Sequence, residues 1–281
     1  PQAVGGQLNR GRIRRLLGFR KQQDPQLDER LDSTNQPGAT GEGLLKMLAI
    51  GGAPVQIDQI QLGPWCSPDE RGFGLVSQFN TIAGFPMGIM VDVRTGKRFC
   101  NELADRKERT DAILGLMENG KPVYPVCFTD SKGVAKAQTL KNGLKYGVIK
   151  KFDTLEDLAK AYGIPAKPFV EQVARFNEMV KAKDDKEFHR SLALAIVLDK
   201  APFYACRVWP KVHYCMGGVG ITKNAEVYGI DGSVIPGLYA CGEVTGGTHG
   251  ASRLGGCAIA DGLVMGRVAA ESVLKAKPAA I

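Results

Sequence analysis

The feature that most restricts the fold is a strand, a glycine-rich loop and a helix that follow one another near the end of the chain. Residues 237–244 (GLYACGEV) predict a strand that closes on Glu243, and residues 245–256 (TGGTHGASRLGG) form the loop that leads into the helix. Glycines let the backbone approach a ligand closely, and a helix N-terminus presents unpaired N–H groups. An ordinary turn would explain this order of elements. Arg253 among the glycines favours a site for an anion or an electron-rich carbonyl in an α/β nucleotide-binding fold.

The chain of 281 residues is long enough for a substantial core and predicts one or two domains. No apolar run reaches the roughly eighteen residues that a membrane-spanning helix needs. The first residues are basic but lack the apolar centre of a signal peptide. A periplasmic and a cytoplasmic location therefore both remain open.

The formal net charge is +8, and basic residues concentrate between Arg10 and Lys21. A nucleic-acid patch would explain this run, but no nucleic-acid motif follows it, so a solvated helix face is the better interpretation. The positive balance also suits an enzyme that attracts anionic substrates.

The seven cysteines are scattered without CxxC spacing. This arrangement argues against a disulfide framework and against a zinc site. We therefore predict reduced thiols and no bound metal.

Hydrophobic spacing and turn residues predict a nucleotide-binding portion that is split in sequence, residues 1–60 and 208–281, around an insert of residues 61–207. Thr154 and Asp157 form a capping box at the start of one helix. The pattern predicts helices over 44–52, 154–163, 165–183 and 256–275, a strand over 55–62, a hairpin over 88–99, and strands with hairpins over 212–247.

Five motifs occur in a specific order: STNQPGATGEG (33–43), GKRFCNE (96–102), ADRKERTDAIL (104–114), VHYCMGG (212–218) and PGLYACGEVTGGTHGASRLGG (236–256). Together they resemble the FAD-dependent fumarate reductase and flavocytochrome c family, which includes urocanate, methacrylate and related enoate reductases. The resemblance implies a partial Rossmann-like FAD-binding domain of glutathione-reductase type, with an α+β insert as capping domain. It also implies a carboxy-terminal portion that lacks the family's amino-terminal GxGxxG segment, so that a further segment or chain completes the FAD site.

The resemblance assigns catalytic roles to three residues. His213 and Arg253 match the pair that grips a substrate carboxylate, a role for which the planar fork of arginine is suited. Arg106 matches the proton donor, with Arg109 as a rival in register. Because arginine scarcely deprotonates in proteins, Arg106 would act only as a relay that is reprotonated at once.

The resemblance also assigns residues to the cofactor. Glu243 would accept hydrogen bonds from ribityl or ribose hydroxyls, and the N-terminus of the last helix would face the pyrimidine edge of the flavin. Thr40 and Glu42 fit a simple helix cap as well as a cofactor contact. The residues expected to line FAD are Thr40, Gly41, Glu42, Glu243, Arg253, Gly256, Ala258 and Ile259.

The chain departs from the fumarate reductases where a second substrate carboxylate would bind. Gly63 stands in place of a histidine and Ile82 in place of a glutamate, while Thr81 is retained. With Trp65, Phe73 and Phe79 nearby in sequence, these changes predict an unsaturated monocarboxylate with an apolar or aromatic far end, bound in part by Trp65 and Thr81. Two alternatives stay open: a shifted alignment with fumarate as substrate, and an imidazole-like tail that meets Asp69 or Glu70.

The expected function is transfer of hydride from N5 of reduced FAD to the C=C bond of an α,β-unsaturated carboxylate. The alternatives are fumarate reduction proper and a non-catalytic binding or assembly subunit. A flavin dehydrogenase that oxidises a ketosteroid is disfavoured, because His213 and Arg253 match residues that bind a substrate carboxylate. The electron donor, whether haem c, FMN or another domain or protein, is not encoded in these residues.

Overall fold

The computed structural model describes residues 31–276, without the side chain of Lys136. The basic run at Arg10–Lys21 and residues 1–30 of the predicted portion 1–60 lie outside the described residues. The chain divides into two compact units. Unit 1 contains Leu31, Asn35–Leu62 and the residues from Val212 onward, and unit 2 contains Asp32–Thr34 with Gly63–Lys211.

The elements alternate between helices and short strands. The helices are α1 (Glu42–Ala49), α2 (Val76–Phe79), α3 (Phe85–Met87), α4 (Arg106–Leu114), α5 (Leu140–Lys145), α6 (Leu155–Tyr162), α7 (Ala166–Ala182) and α8 (Cys257–Lys275). The strands are β1 (Pro54–Val55), β2 (Ile60–Gly63), β3 (Ile89–Asp92), β4 (Lys97–Arg98), β5 (Met117–Glu118), β6 (Lys121–Pro122), β7 (Val126–Thr129), β8 (Lys150–Phe152), β9 (Phe203–Arg207), β10 (Lys211–Cys215), β11 (Gly218–Val219), β12 (Glu226–Tyr228) and β13 (Val234–Tyr239).

Unit 1 contains small sheets and two of the predicted helices, α1 and α8. β1 pairs with β11 and β12 with β13, both antiparallel, and β2 pairs with β10. The predicted strand over 55–62 is wrong as a single element. A turn separates β1 from β2, because Gln56 adopts a φ of 49° and its carbonyl accepts from the N–H of Gln59 at 2.9 Å.

Unit 2 contains a five-stranded antiparallel sheet in the order β4-β3-β7-β9-β8. The predicted hairpin over 88–99 is confirmed as β3 and β4, joined through Gly96 at a φ of 70°. All four residues of β7 are buried. Alternate residues of a strand face opposite sides of the sheet, so Phe128 packs with one cluster of apolar residues and Cys127 with another.

The two long predicted helices of unit 2 are also confirmed. α6 begins after Thr154, whose Oγ1 accepts from the N–H of Asp157 at 3.0 Å and donates to its carboxylate at 2.7 Å. α7 buries Phe169, Val173 and Phe176 at helical spacing against the sheet. These contacts explain why a local capping signal and an apolar stripe were enough to locate both helices.

Within residues 31–276 all seven cysteines are free, and no cluster of three or more His, Cys, Asp or Glu side chains could hold a metal ion. No helix in the described part of the chain is long and apolar enough to cross a membrane.

Candidate functional site

A cleft of about 300 Å³ opens in unit 1 where the start of α1 meets the turn after β13. A Cβ built on Gly38 or Gly43 would meet no atom within 4 Å, so the backbone faces open space there. The lining residues are Gly38, Ala39, Thr40, Gly41, Glu42, Gly43, Leu44, Ile57, Ile60, Cys215, Gly217, Glu243 and Val244. The fold therefore brings Glu243 to the same cleft as Thr40, Gly41 and Glu42, from which it is distant in sequence.

Glu243 lies in a 3-10 turn, Gly242–Val244, at the mouth of this cleft. Its Oε1 accepts from the N–H of Cys215, at the end of β10, at 3.0 Å. This bond connects the turn to the strand and holds an exposed carboxylate against the cleft. A carboxylate so held is an acceptor for hydroxyl groups of a ligand.

The start of α1 differs from the predicted cap. The N-cap residue is Gly41, with φ 71° and ψ 9°, and no side chain bonds to the first turn. The capping interpretation of Thr40 is therefore wrong. Glu42 is the first helical residue, where a negative charge interacts favourably with the helix dipole.

Backbone packing requires glycine at both glycine positions of the VHYCMGG motif. A Cβ on Gly217 would lie 1.9 Å from the carbonyl oxygen of Gln56, and a Cβ on Gly218 would lie 2.1 Å from that of Val244. Any side chain would push these backbones apart. The glycines therefore allow the wall of the cleft to form.

Arg253 is buried, with 5% of its surface exposed. Its guanidinium lies over the ring of Tyr214 at 4.2 Å and donates through Nη1 to the carbonyl of Leu254 at 3.0 Å. The side chain of Gln61 donates to the carbonyl of Arg253 at 2.9 Å. Nε of Arg253 is buried and has no hydrogen-bond partner among the described residues. A buried guanidinium with an unused donor is suited to an anionic ligand.

Tyr214 and His249 extend this group and were missed at the sequence level. Their rings meet edge to face at 5.7 Å, and Nε2 of His249 lies 3.9 Å from Oδ2 of Asp261. Burial raises the pKa of Tyr214 to about 12, with further contributions from the carboxylates of Glu243 and Asp261. The phenol thus stays neutral and offers a ring face to Arg253. The available signal was the position of Tyr214 directly after His213.

His213 lies in β10 and is half-buried, one residue before the tyrosine that Arg253 contacts. Arg253, Gly256, Ala258 and Ile259 do not line the 300 Å³ cleft. Gly256 is the N-cap residue of α8, and Ile259 is 70% exposed.

Arg106 lies in unit 2 as the first residue of α4. Its guanidinium lies over the ring of Trp65 at 4.5 Å, and the Asp105 carboxylate caps the helix by accepting from the N–H groups of Lys107 and Glu108. A Cβ on Gly63 would lie 3.2 Å from Cε2 and Cζ2 of Trp65. The indole ring thus occupies the space beside Gly63 and contacts Arg106.

Thr81, the other predicted substrate residue of unit 2, and the two phenylalanines near it in sequence differ in their surroundings. Thr81 is exposed and its hydroxyl donates to the carbonyl of Ser77 at 2.7 Å. Phe79 is fully buried in the core, whereas Phe73 is 43% exposed.

Asp69 and Glu70, the candidates for an imidazole-like tail, are both engaged. Asp69 accepts from Nε of Arg207 at 3.0 Å. Glu70 accepts from the N–H groups of Leu75 and Val76 at 2.7 and 2.8 Å. These bonds disfavour the alternative in which either carboxylate meets a cationic substrate.

Comparison with known proteins decides the family. Residues 9–259 match the FAD binding domain family. The chain belongs to this family. It is 46% identical over 263 residues to the acrylate reductase flavoprotein subunit of Shewanella woodyi, covering 92% of the chain and 52% of that relative. It is 41% identical over 245 residues to a fumarate reductase (cytochrome) of Shewanella frigidimarina, covering 86% of the chain and 41% of that relative.

Among solved structures, the open conformation of a flavocytochrome c3 fumarate reductase matches with a TM-score of 0.70 and 33% identity, covering 94% of the chain and 44% of the matched structure. The predicted α/β fold of an FAD-binding family is thereby confirmed. The chain spans about half the length of these curated relatives.

The cofactor of this FAD-binding family fits the residues of unit 1. The cleft exposes glycine backbone at Gly38 and Gly43, and it carries the Glu243 carboxylate as an acceptor. Flat aromatic and polyol groups need such close backbone approach and such acceptors. The cofactor prediction, FAD, is therefore supported by the family and by the chemistry of the cleft.

Proposed function

We propose that this chain is the substrate-binding portion of an FAD-dependent reductase that hydrogenates the C=C bond of a small α,β-unsaturated monocarboxylate of the acrylate type. The observation that carries the proposal is Arg253, whose buried guanidinium has an unused Nε donor and is held against Tyr214. Burying an arginine without a full set of partners is costly, and an incoming carboxylate offsets that cost.

In this proposal each residue has a separate role in the reaction. Reduced FAD, when bound, supplies a hydride to one alkene carbon. Arg253 and His213 bind the carboxylate and stabilise the negative charge that develops on it in the transition state. Arg106 donates the proton to the other alkene carbon and regains one from solvent, so that hydride and proton together give the saturated acid. In the same proposal Thr40, Gly41, Glu42, Gly256, Ala258 and Ile259 contact FAD, and Glu243 accepts from its hydroxyls.

The preference for a monocarboxylate rests on Gly63 and Trp65. The indole packs on Gly63 and contacts Arg106, so no second cation occupies the place beside Gly63. An apolar wall suits a substrate whose far end is uncharged. The similarity to an acrylate reductase subunit supports this choice, and the similarity to a fumarate reductase keeps fumarate as the second candidate.

A further part of the protein or another chain is proposed to cover α8. Ile259, Leu263 and Leu274 are 70%, 71% and 86% exposed, and their spacing places them on one face of the helix. We expect the amino-terminal part of an FAD-binding domain to pack there. The electron donor, a haem c, FMN or other redox domain or protein, belongs to the same set of partners.

Leu263→Glu tests this packing. A charge in an apolar interface should lower the FAD content by at least about tenfold when the chain is produced together with an amino-terminal FAD-binding segment. Leu45→Glu, a change at another exposed leucine of unit 1, is the control. Equal FAD content in the two variants, measured by flavin absorbance, would remove the support for this interface.

The function is tested with the FAD-loaded protein and reduced viologen as electron donor. Acrylate, a cinnamate-like enoate, urocanate and fumarate are supplied in parallel, and oxidation of the viologen is followed. We expect turnover with acrylate and little with fumarate. Efficient reduction of fumarate contradicts the monocarboxylate preference, and bound FAD without turnover of any enoate supports the non-catalytic subunit instead.

Substrate preference should change when a cation is introduced at position 63 and the indole at position 65 is removed. Gly63→His with Trp65→Ala removes the indole that would clash and adds an imidazole for a second carboxylate. The ratio of kcat/KM for fumarate over acrylate should rise by roughly 10–100-fold, the value of one or two charge-assisted hydrogen bonds. Trp65→Ala alone is the control, since it opens the space without adding the cation. An equal ratio in both variants would rule out this account of specificity.

A further inference from the structure

Arg109 is a partly buried charge that the proposed reaction does not use. It lies on α4, one turn after Arg106, with its guanidinium over the ring of Phe85 at 5.1 Å. Its Nε is buried and has no hydrogen-bond partner, and no carboxylate of residues 31–276 forms an ion pair with it. Burial lowers the pKa of Arg109. A side chain that served packing alone would be more stable here as an apolar residue, because a buried N–H donor without a partner is costly.

The side chain of Arg109 is hydrogen-bonded to the segment that carries the proposed proton donor, Arg106. Its Nη1 donates to the carbonyl of Glu102 at 3.1 Å. Glu102 is four residues before Arg106, and Asp105, between them, caps α4. The bond therefore connects the backbone before Arg106 to the first turn of α4 after it, so that Arg106 lies between the two connected positions.

Glu102 itself is fixed from the other side. Its carboxylate accepts from the N–H of Met90 at 3.1 Å, from Arg98 at 2.9 and 2.8 Å and from Arg190 at 3.0 Å. The carboxylate thus attaches this residue to the sheet, while its carbonyl is attached to α4 by Arg109. Residues three apart on a helix are neighbours on its surface, so Arg109 lies beside Arg106.

We infer that Arg109 is a positioning residue, which fixes the segment from Glu102 to the start of α4 and so holds the guanidinium of Arg106 over Trp65. The inference rests on the proposed function for its kinetic consequence, but not for its geometry. Misplacing a catalytic group by a small distance lowers the rate of the chemical step more than it lowers ground-state binding.

The first test reads the geometry without catalysis. In a Trp209→Phe background, Trp65 is the tryptophan that reports on Arg106. Arg106→Gln defines the fluorescence change for loss of the cation from the indole. Arg109→Gln should give at least half of that change, and Lys107→Gln, which removes an exposed charge from the same helix, should give none. A wild-type signal in Arg109→Gln overturns the inference whatever the activity.

The second test reads the reaction in the FAD-loaded protein. Arg109→Gln should lower kcat with acrylate roughly tenfold and leave KM within about twofold, because a positioning residue acts on the transition state. Arg109→Lys keeps the charge but not the planar fork, and should show smaller changes of the same sign in both tests. Should Arg109→Gln not fold, a wild-type signal in Arg109→Lys overturns the inference.

The two tests separate the possible failures. A wild-type protein that turns over no enoate refutes the proposed function, and the fluorescence of the variants still decides the role of Arg109. A parallel loss of kcat and rise of KM in Arg109→Gln, with unchanged Trp65 fluorescence, shows a merely structural role and contradicts the inference.

Discussion

Replacement of Arg106 by glutamine should lower kcat for acrylate by a factor of about 10²–10⁴, the range that a positioned general acid contributes. Glutamine keeps a hydrogen-bonding side chain at the start of α4 but cannot deliver a proton. The Asp105 cap and the helix should survive, because the Asp105 carboxylate accepts from the backbone N–H groups of Lys107 and Glu108. The FAD content should therefore be unchanged.

The measurement is steady-state turnover of acrylate with reduced viologen, alongside flavin absorbance and thermal unfolding. Lys107→Gln is the matched control, since it removes a charge from the adjacent position, where the side chain is exposed and pairs with Asp111 at 2.7 Å. Retention of more than about a third of wild-type kcat in Arg106→Gln would show that Arg106 is not the proton donor. Arg109 would then become the candidate that the sequence left as its rival.

Replacement of Arg98 by methionine should lower the free energy of unfolding of unit 2 by about 3–5 kcal/mol, the cost of removing one partner from a buried ion pair. Arg98 pairs with Glu102 and Asp185 at 2.8 Å each, and all three side chains are fully buried. Its guanidinium also lies over the rings of Phe176 and Phe188. Methionine fills similar space, but it leaves the carboxylate of Asp185 without its main buried partner.

The effect is measured by urea unfolding, followed by the circular dichroism of the unit 2 helices. Lys107→Met is the control, because Lys107 pairs with Asp111 at 2.7 Å on α4 of the same unit and both side chains are exposed. Such surface pairs contribute about 0–1 kcal/mol. If both variants lose a similar amount, the buried cluster does not hold this unit together. Addition of Asp185→Asn to Arg98→Met should recover part of the loss, since it removes the unpaired charge.

Much of the local structure could be predicted because its signals act over a few residues. Gly96 specifies the turn between β3 and β4, Thr154 caps α6, and the apolar stripe of α7 marks its buried face. The prediction of a single strand over 55–62 was wrong because of an equally local feature. Its alternating pattern carried no sign that Gln56 would take a positive φ and turn the chain.

The order of the motifs singled out Thr40, Gly41, Glu42 and Glu243, and these four residues line one cleft. Their assignment to FAD and the roles of His213, Arg253 and Arg106 stay proposals. Tyr214 and His249 were not predicted, because a ring that supports Arg253 looks in sequence like any buried aromatic residue.

The sequence by itself determined the family and its FAD-binding fold, because motif order and glycine positions are properties of the linear chain. Only the tertiary structure decided that Trp65 packs on Gly63 beneath Arg106, that Phe79 lies in the core and that Arg109 binds the carbonyl of Glu102. These contacts depend on where side chains point after the chain has turned and paired. Local propensities do not encode that path, since packing between distant residues selects it.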